Sequence, residues 1–310
     1  MTNGARPSRA ILNFAHRCAM KCEWCYVPFG TSSAQEPVLA KVVERIAELG
    51  FTRLTFGGGD PFQYRFIVST LELAKTRGLF VHVDTHGLGL RETDETLALL
   101  RSTVDLLGLP LDGSSAAVHD EMRQSPGHYA RCLRKVAWLG DFHSRLKLNT
   151  IVSKFNLTDL PALGSVVSSL RPSRWSIYQY WPVGPASKVE GKHALAETAF
   201  LEAAERVRTA FLVADITLEV NSAESRRNTY PIIHHDGEVF VHAAPPENSF
   251  LHLGSIFDDH TMERINATCV EDRPAALERY GRGSMRGQIL KYDFFKKMIF
   301  QILTISWCFC

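Results

Sequence analysis

The chain has 310 residues and a formal charge of +2, and 45% of its residues are hydrophobic against 22% charged, the balance of an ordinary globular protein. That length suits one large α/β domain with an appendage better than two independent domains; the chain holds no lysine or arginine run of the kind that tracks nucleic acid, and its first residues lack the apolar core of a signal peptide. Seven cysteines, three of them in one short loop, fit a reducing compartment better than a disulfide framework, so a cytoplasmic protein is expected.

In chain order, Ala10 to Phe14 is a short apolar run that reads as a buried strand delivering the loop behind it. That loop holds Cys18, Cys22 and Cys25 in a C-x3-C-x2-C spacing. Three thiolates on one loop can wrap one face of a cubane iron–sulfur cluster, leaving one iron open, and an open position suggests chemistry, since structural sites are usually closed. Other readings are a zinc site, a redox dithiol, or thiols that merely lie close. Zinc would want a fourth ligand, and His16 stands too near Cys18 for an ordinary knuckle; a dithiol needs only Cys22 and Cys25 and leaves Cys18 unexplained.

With Tyr26 following at once, this loop resembles the signature of the radical S-adenosylmethionine (SAM) superfamily. The resemblance implies a [4Fe-4S] cluster whose open iron chelates the amino and carboxylate groups of SAM. It also implies reductive cleavage of the sulfonium to methionine and a 5'-deoxyadenosyl radical, and an electron donor such as flavodoxin or ferredoxin. The fold it implies is a partial (β/α)6 TIM-like barrel over residues 10–182, after a short tail over 1–9, with reactive loops beyond the strands' C-terminal ends. Residues 183–260 then read as an α/β extension containing a β-hairpin that closes the site, and 261–310 as a terminal segment. Tyr26 is expected beside the adenine.

Residues 36–49 show apolar helical spacing and stop at Gly50; Arg53 to Phe56 is the next strand and runs into Gly57-Gly58-Gly59-Asp60-Pro61. This turn is similar to the family's Gly-Gly-Glu-Pro-like stretch, which implies that Gly58 and Gly59 approach the SAM amino group, with Asp60 one methylene shorter than the usual acid. A helix over Phe62 to Arg77 and a strand over Leu79 to Val83 lead to Asp84-Thr85-His86-Gly87, where the resemblance makes Thr85 and His86 candidates to line the SAM ribose. His86 also reads as a satisfied polar residue at a strand end. Thr93 to Leu100 is a helix, Val104 to Leu109 a strand, and Pro110-Leu111-Asp112-Gly113 resembles the family's Ser-Leu-Asp-Gly element, which nominates Asp112. His119-Asp120-Glu121-Met122-Arg123 resembles a His-Asp-x-x-Arg stretch whose Arg can fork onto the SAM carboxylate; the plain alternative for Arg123 is a surface arginine after a helix. Tyr129 to Leu139 is a helix carrying Cys132, read as a core thiol.

Leu146 to Val152 is the fifth strand, with Lys147, Asn149 and Ile151 on one face. A lysine and an amide there are costly unless they meet a ligand or each other. The passage from Lys147 to Asn156, and that from Leu170 to Gln179 at the sixth strand, resemble the viperin-like branch of the superfamily, which converts cytidine triphosphate to its 3'-deoxy-3',4'-didehydro form. Lys147, Asn149 and Arg174 are therefore expected to hold the anionic end of a nucleotide-like substrate. Ser176 stands where that branch has a second cation, which leaves open a nucleoside, a monophosphate or a cytosine-containing sugar acid. Glu197 to Leu212 reads as a helix and Ile216 to Val220 as a strand. His234-His235-Asp236-Gly237 is the turn of a hairpin; turn polarity accounts for His234 and His235 without a second metal shared with His242, and Cys269 alone does not make an auxiliary cluster. From about Ile289 the composition changes, and Met298 to Cys310 is apolar but too short to span a bilayer. Two other functions stay open. A peptide-modifying maturase would want a leader-binding domain, for which the 17 residues before Cys18 are few. A non-catalytic iron–sulfur or zinc protein gives no reason for the glycine turn.

Overall fold

A computed structural model describes residues 8–13, 18–27, 34–210, 215–242 and 249–269; the apolar stretch from Met298 to Cys310 lies outside them. Six strands, β1 (Arg9–Asn13), β2 (Arg53–Gly57), β3 (Phe80–Asp84), β4 (Leu106–Pro110), β5 (Leu146–Val152) and β6 (Arg174–Gln179), lie side by side in parallel, and β7 (Thr217–Asn221) adds a seventh against β6. Beyond β1 the sheet continues through β8 (Ile232–His234), parallel to β1, and then β9 (Glu238–His242) and β10 (Phe250–Ser255), both antiparallel to their neighbours. The expected barrel of six strands is thus extended at both edges, and the hairpin shares the sheet of the barrel.

Between the strands run α1 (Glu36–Glu48), α2 (Ile67–Thr76), α3 (Asp94–Thr103), α4 (Ala116–Arg123), α5 (His128–Leu139), α6 (Leu160–Leu170), α7 (Glu190–His193) and α8 (Glu197–Ala210), with α9 (Thr261–Thr268) after β10. The chain leaves α1 through Gly50 at φ +88°, a left-handed exit that glycine adopts without strain. The helix expected from Phe62 starts only at Ile67, because the Asp60 carboxylate accepts the Phe62 N–H and tightens Pro61–Gln63 into a 3-10 turn. No helix among the described residues is long and apolar enough to cross a membrane.

Alternation along the strands separates two faces. Leu12, Phe56, Val83, Leu109, Leu148 and Trp175 are buried against Leu39, Ile46, Leu71, Val136, Val167 and Phe200 of the helices, and this outer layer is the core. A fully buried side chain of this size stabilises the fold by about 1.5–3 kcal/mol. The opposite face carries polar residues, among them His82, Asp84, Lys147, Asn149, Tyr178 and Asn221, which line one cavity of about 250 Å³. Arg9 of β1 and Asn221 of β7 both reach it, so the sheet curves around this space.

Candidate active site

The cysteine loop follows the C-terminal end of β1 and roofs the cavity. Cys18, Cys22 and Cys25 are each half-buried free thiols, and all three border the cavity. Local bonds set the loop: Cys25 N–H donates to Cys22 O at 3.1 Å and Met20 N–H to Cys18 Sγ at 3.4 Å. Side chains then pin it from outside. Trp24 Nε1 donates to Met122 O at 2.8 Å, the Arg123 guanidinium lies 4.8 Å above the Trp24 ring, and Glu23 pairs with Lys192 and with His193, whose other nitrogen meets Ser153 Oγ at 3.2 Å. Burial pushes all three thiols upward, Cys25 to about 12; a bound metal reverses that preference, because a coordinating thiol is deprotonated.

The glycine turn after β2 borders the same cavity as the thiols, through Gly57, Gly58 and Gly59. A Cβ on Gly58 would sit 2.6 Å from Asn13 Oδ1, with φ at +68° besides. Thr85 and His86 border the same space, and His86 Nε2 is buried with no hydrogen-bond partner among the described residues. Three thiols, a glycine edge and an unanswered ring nitrogen bordering one cavity are a donor set and a space that fit a cluster with one open iron and a ligand on it. Cys132 and Cys269 are buried elsewhere and do not border the cavity.

Two carboxylates expected at the cofactor lie behind the wall instead. Asp60 is fully buried and does not border the cavity; it accepts hydrogen bonds from Phe62 N, Thr85 Oγ1 at 2.7 Å and Gly89 N, and lies 3.1 Å from His86 Nδ1. Asp112 is likewise enclosed, accepting from Ile151 N at 2.8 Å and from Arg123 Nε. Short acids reach nearby backbone N–H groups more easily than a ligand farther off, and here both fasten the residues that do border the space. Arg123 is one of those, and no surface residue, with its side chain 11% exposed. Burial would lower its pKa, but Asp112 and Cys22 hold it above the ordinary value.

Behind Arg123, α4 and α5 contribute His119, His128 and Cys132, whose donor atoms lie within 4.8 Å of one another. The hydrogen bonds fix a direction. Asp112 N–H donates to His119 Nδ1 at 2.9 Å, so the ring's proton sits on Nε2 and is donated to His128 Nδ1 at 2.8 Å; His128 Nε2–H then donates to His86 O at 2.8 Å. A metal would need a lone pair on His119 Nε2 while Nδ1 still faces a donor, the reverse of the usual arrangement in which a ligating histidine donates its second N–H. The cluster is a run of neutral imidazoles tying the end of β4 to the end of β3. Burial, then the Arg123 charge, pushes His119 down to about 2; burial likewise takes His128 to about 4, against its bond to the His86 carbonyl.

At the floor, Lys147 and Asn149 share a face as the alternation implies, but they meet a carboxylate already in place. Asn149 Nδ2 donates to Asp84 Oδ1 at 2.7 Å and Lys147 Nζ lies 3.4 Å from the same oxygen. Burial would raise Asp84; the charges of His82 and Lys147 outweigh it and hold the carboxyl well below the usual range. Arg174 does not join them. It starts β6, two residue pairs deeper on that face than Tyr178, and its guanidinium pairs with Glu219 at 3.2 Å, which also takes the Ser176 hydroxyl. Tyr26 borders the cavity against Trp181 at 5.7 Å and Phe250 at 6.3 Å. His234 packs at a tilt against Phe240, with ring centroids 4.6 Å apart, and His242 against Trp181 at 4.0 Å.

Residues 12–161 match the family model of the radical SAM superfamily. The chain therefore contains a radical SAM domain. It is 25% identical over 242 residues to an S-adenosylmethionine-dependent nucleotide dehydratase of Flammeovirga pacifica, an alignment covering 72% of this chain and 78% of that protein. It is 26% identical over 172 residues to a PqqA peptide cyclase of Rhizobium meliloti, covering 54% of this chain but only 46% of the relative. Among solved structures, SuiB of Streptococcus suis bound to S-adenosylmethionine superimposes with a TM-score of 0.66 at 13% identity, covering 90% of this chain and 69% of SuiB, a likeness of fold. This radical SAM enzyme therefore carries the partial TIM-like barrel, and the family implies a [4Fe-4S] cluster and SAM.

Sequence reasoning missed several residues at the floor of this radical SAM site. Asp84 and His82 alternate on the inward face of an interior strand, a period-two polar signal that could have found them. Arg226 lies 4.5 Å from the Trp181 ring and borders the cavity too; nothing in its local sequence marks it.

Proposed function

We propose that this radical SAM enzyme removes a hydrogen atom from the sugar of a nucleotide-like substrate. In this reading Cys18, Cys22 and Cys25 hold the cluster, while Gly58, Gly59, Thr85, His86 and Arg123 border SAM and Tyr26 packs at its adenine. When bound, cluster and SAM supply the one-electron chemistry that the protein's own side chains lack. The chain's part is to bind, orient and keep dry. Arg123, locked by Asp112 and backed by Trp24, sets a fixed positive charge beside the thiols. Tyr26, Trp181 and Phe250 form an aromatic wall that excludes water from a reactive carbon centre. The reducing electron comes from a low-potential carrier such as flavodoxin or ferredoxin, in the cytoplasm.

The observation that carries this reading is one cavity joining the three thiols at its roof to the polar residues of β3 and β5 at its floor, so cofactor and substrate share a space. The nucleotide assignment draws support from the dehydratase relative, and the peptide cyclase relative makes a peptide the competing substrate. The test is anaerobic cluster reconstitution followed by reduction with SAM, scoring 5'-deoxyadenosine against cytidine nucleotides, nucleosides, sugar acids and short peptides. Stimulation by a nucleotide-like compound, lost in Cys22→Ala, is expected; stimulation by peptides alone, or a loaded enzyme that never cleaves SAM, overturns it.

A further inference from the structure

The middle of β4 is where the floor is decided. Gly108 lies between Asp84 on β3 and Lys147 on β5 in the sheet register, and a Cβ there would come 1.9 Å from Asp84 Oδ1 and 2.6 Å from Asn149 Nδ2. The missing side chain is the gap through which the carboxylate of one strand reaches the amide of the next strand but one. Once made, this bridge turns the polarity of the site over. Asn149 Nδ2, Lys147 Nζ and His82 Nε2 all converge on Asp84 Oδ1, at 2.7, 3.4 and 3.1 Å. Asp84 Oδ2 accepts no hydrogen bond from the described residues, and the side chain stays 35% exposed to the cavity. Asn149 Oδ1 is buried and has no partner among them either. Asn149 donates to that oxygen and the Lys147 and His82 nitrogens lie close to it, while two acceptors, Asp84 Oδ2 and Asn149 Oδ1, remain for a ligand.

Phosphate oxygens bring acceptors and negative charge. At Asp84 and Asn149 Oδ1 themselves they find repulsion and no donor, and the cations that could meet them, Arg9, Arg123 and Arg226, border the cavity at other points. Neighbouring hydroxyls of a sugar, or an amino group, answer both atoms. We infer that the floor of this cavity binds the hydrogen-bond-donating part of the substrate, with Asp84 and Asn149 accepting from its sugar hydroxyls, and that the substrate's anionic end lies elsewhere. The inference rests on the nucleotide reading above and narrows it: Lys147 serves to keep Asp84 ionised and placed, and Asp84 becomes a specificity-determining residue.

The holoenzyme reconstituted with its cluster and saturated with SAM is the material for the test, and binding is read by anaerobic calorimetry. The probes are a ribonucleoside, its 2',3'-dideoxy counterpart and pyrophosphate. A hydrogen bond to a charged acceptor corresponds to about 10- to 100-fold in affinity, so the ribonucleoside is expected to bind tighter than the dideoxy compound by that factor. Asp84→Asn should bring the ratio close to one, and pyrophosphate should not displace the ribonucleoside. Where Asp84→Asn fails to fold, Asn149→Ser carries the same expectation with a smaller drop. Equal affinity of the two nucleosides, or displacement by pyrophosphate that is lost in Lys147→Met, overturns the inference while the nucleotide reading stands. If neither nucleoside binds, this inference fails, while the nucleotide reading is decided separately by which compounds stimulate SAM cleavage.

Discussion

Along β5, Leu146 and Leu148 turn outward into the helices while Lys147 and Asn149 turn inward, and the same alternation divides β3 into Val81 and Val83 against His82 and Asp84. The outer face is finished by packing alone, and its residues find complementary apolar neighbours within the chain. The inner face is finished only in part: its polar atoms are tied into bridges, yet Asn149 Oδ1 and His86 Nε2 are left unanswered among the described residues. Native interiors leave few such atoms, so where they gather in one cavity they mark the side of the sheet shaped for something other than the protein itself. Substitutions should therefore separate the faces, with stability following the outer one and ligand binding the inner one.

The largest effect on the inner side is expected from Cys22→Ala, which should remove the iron-linked absorbance and all SAM cleavage while leaving the apo-protein's thermal melt nearly unchanged. On the outer side Trp175→Ala, at a position with no exposed surface, should cost about 3–5 kcal/mol in denaturant unfolding; a similar cost for Cys22→Ala would break the division of labour. Gly108→Ala tests both faces at once. The added methyl has no room beside Asp84 and Asn149, so a loss of about 1–3 kcal/mol from overpacking should come with weakened substrate binding, whereas Gly191→Ala, with nothing within 4 Å of its Cβ, should change stability by about 0.5 kcal/mol at most.

The imidazole run behind the wall gives a pH signature. His119 and His128 are held at about 2 and about 4, below the ordinary 6.5, so the unfolded chain binds protons that the folded one refuses. Their contribution is whole above pH ~6.5 and is lost as pH falls, by up to about 1.4 kcal/mol per unit for each histidine until its folded value is reached. Urea unfolding at pH 7, 6 and 5 should show this slope, and His119→Gln should make it shallower. The smallest effect is expected in that variant's function. Glutamine can accept from Asp112 N–H and donate to His128, so the KM for SAM should stay near that of the parent, while His119→Leu raises it with little change in kcat. Equal KM values for the two variants would assign His119 to packing only.

Much of this could be read in the sequence where the signal is local. The three cysteines, the glycine turn and the bounds of β5 follow from spacing and alternation, and Arg123 follows from its motif. What escaped depends on neighbours distant in the chain. Asp84 meets Asn149 only because β4 lies between them and offers a glycine at the crossing point. Asp60 and Asp112 sit beside the cavity in sequence, but the backbone donors that capture them belong to loops whose approach no periodicity reports. Arg174 shares its face with Tyr178 yet lies two steps deeper, where Glu219 from the following strand meets it. His119 and His128 converge because α4 and α5 turn tightly on each other at Gly127, in a left-handed conformation.

The strand that delivers the cysteine loop also bears on the order of assembly. β1 pairs with β2 on one side and with β8 on the other, Ile11 facing Ile232. During synthesis the N-terminal part of a chain emerges first, so β1 stands as an open edge until nearly the whole barrel has left the ribosome. Such an edge invites wrong pairing. The loop that presents the thiols is thus anchored on both flanks only late in synthesis, which makes the folded, full-length barrel the form to which iron and sulfide should be delivered.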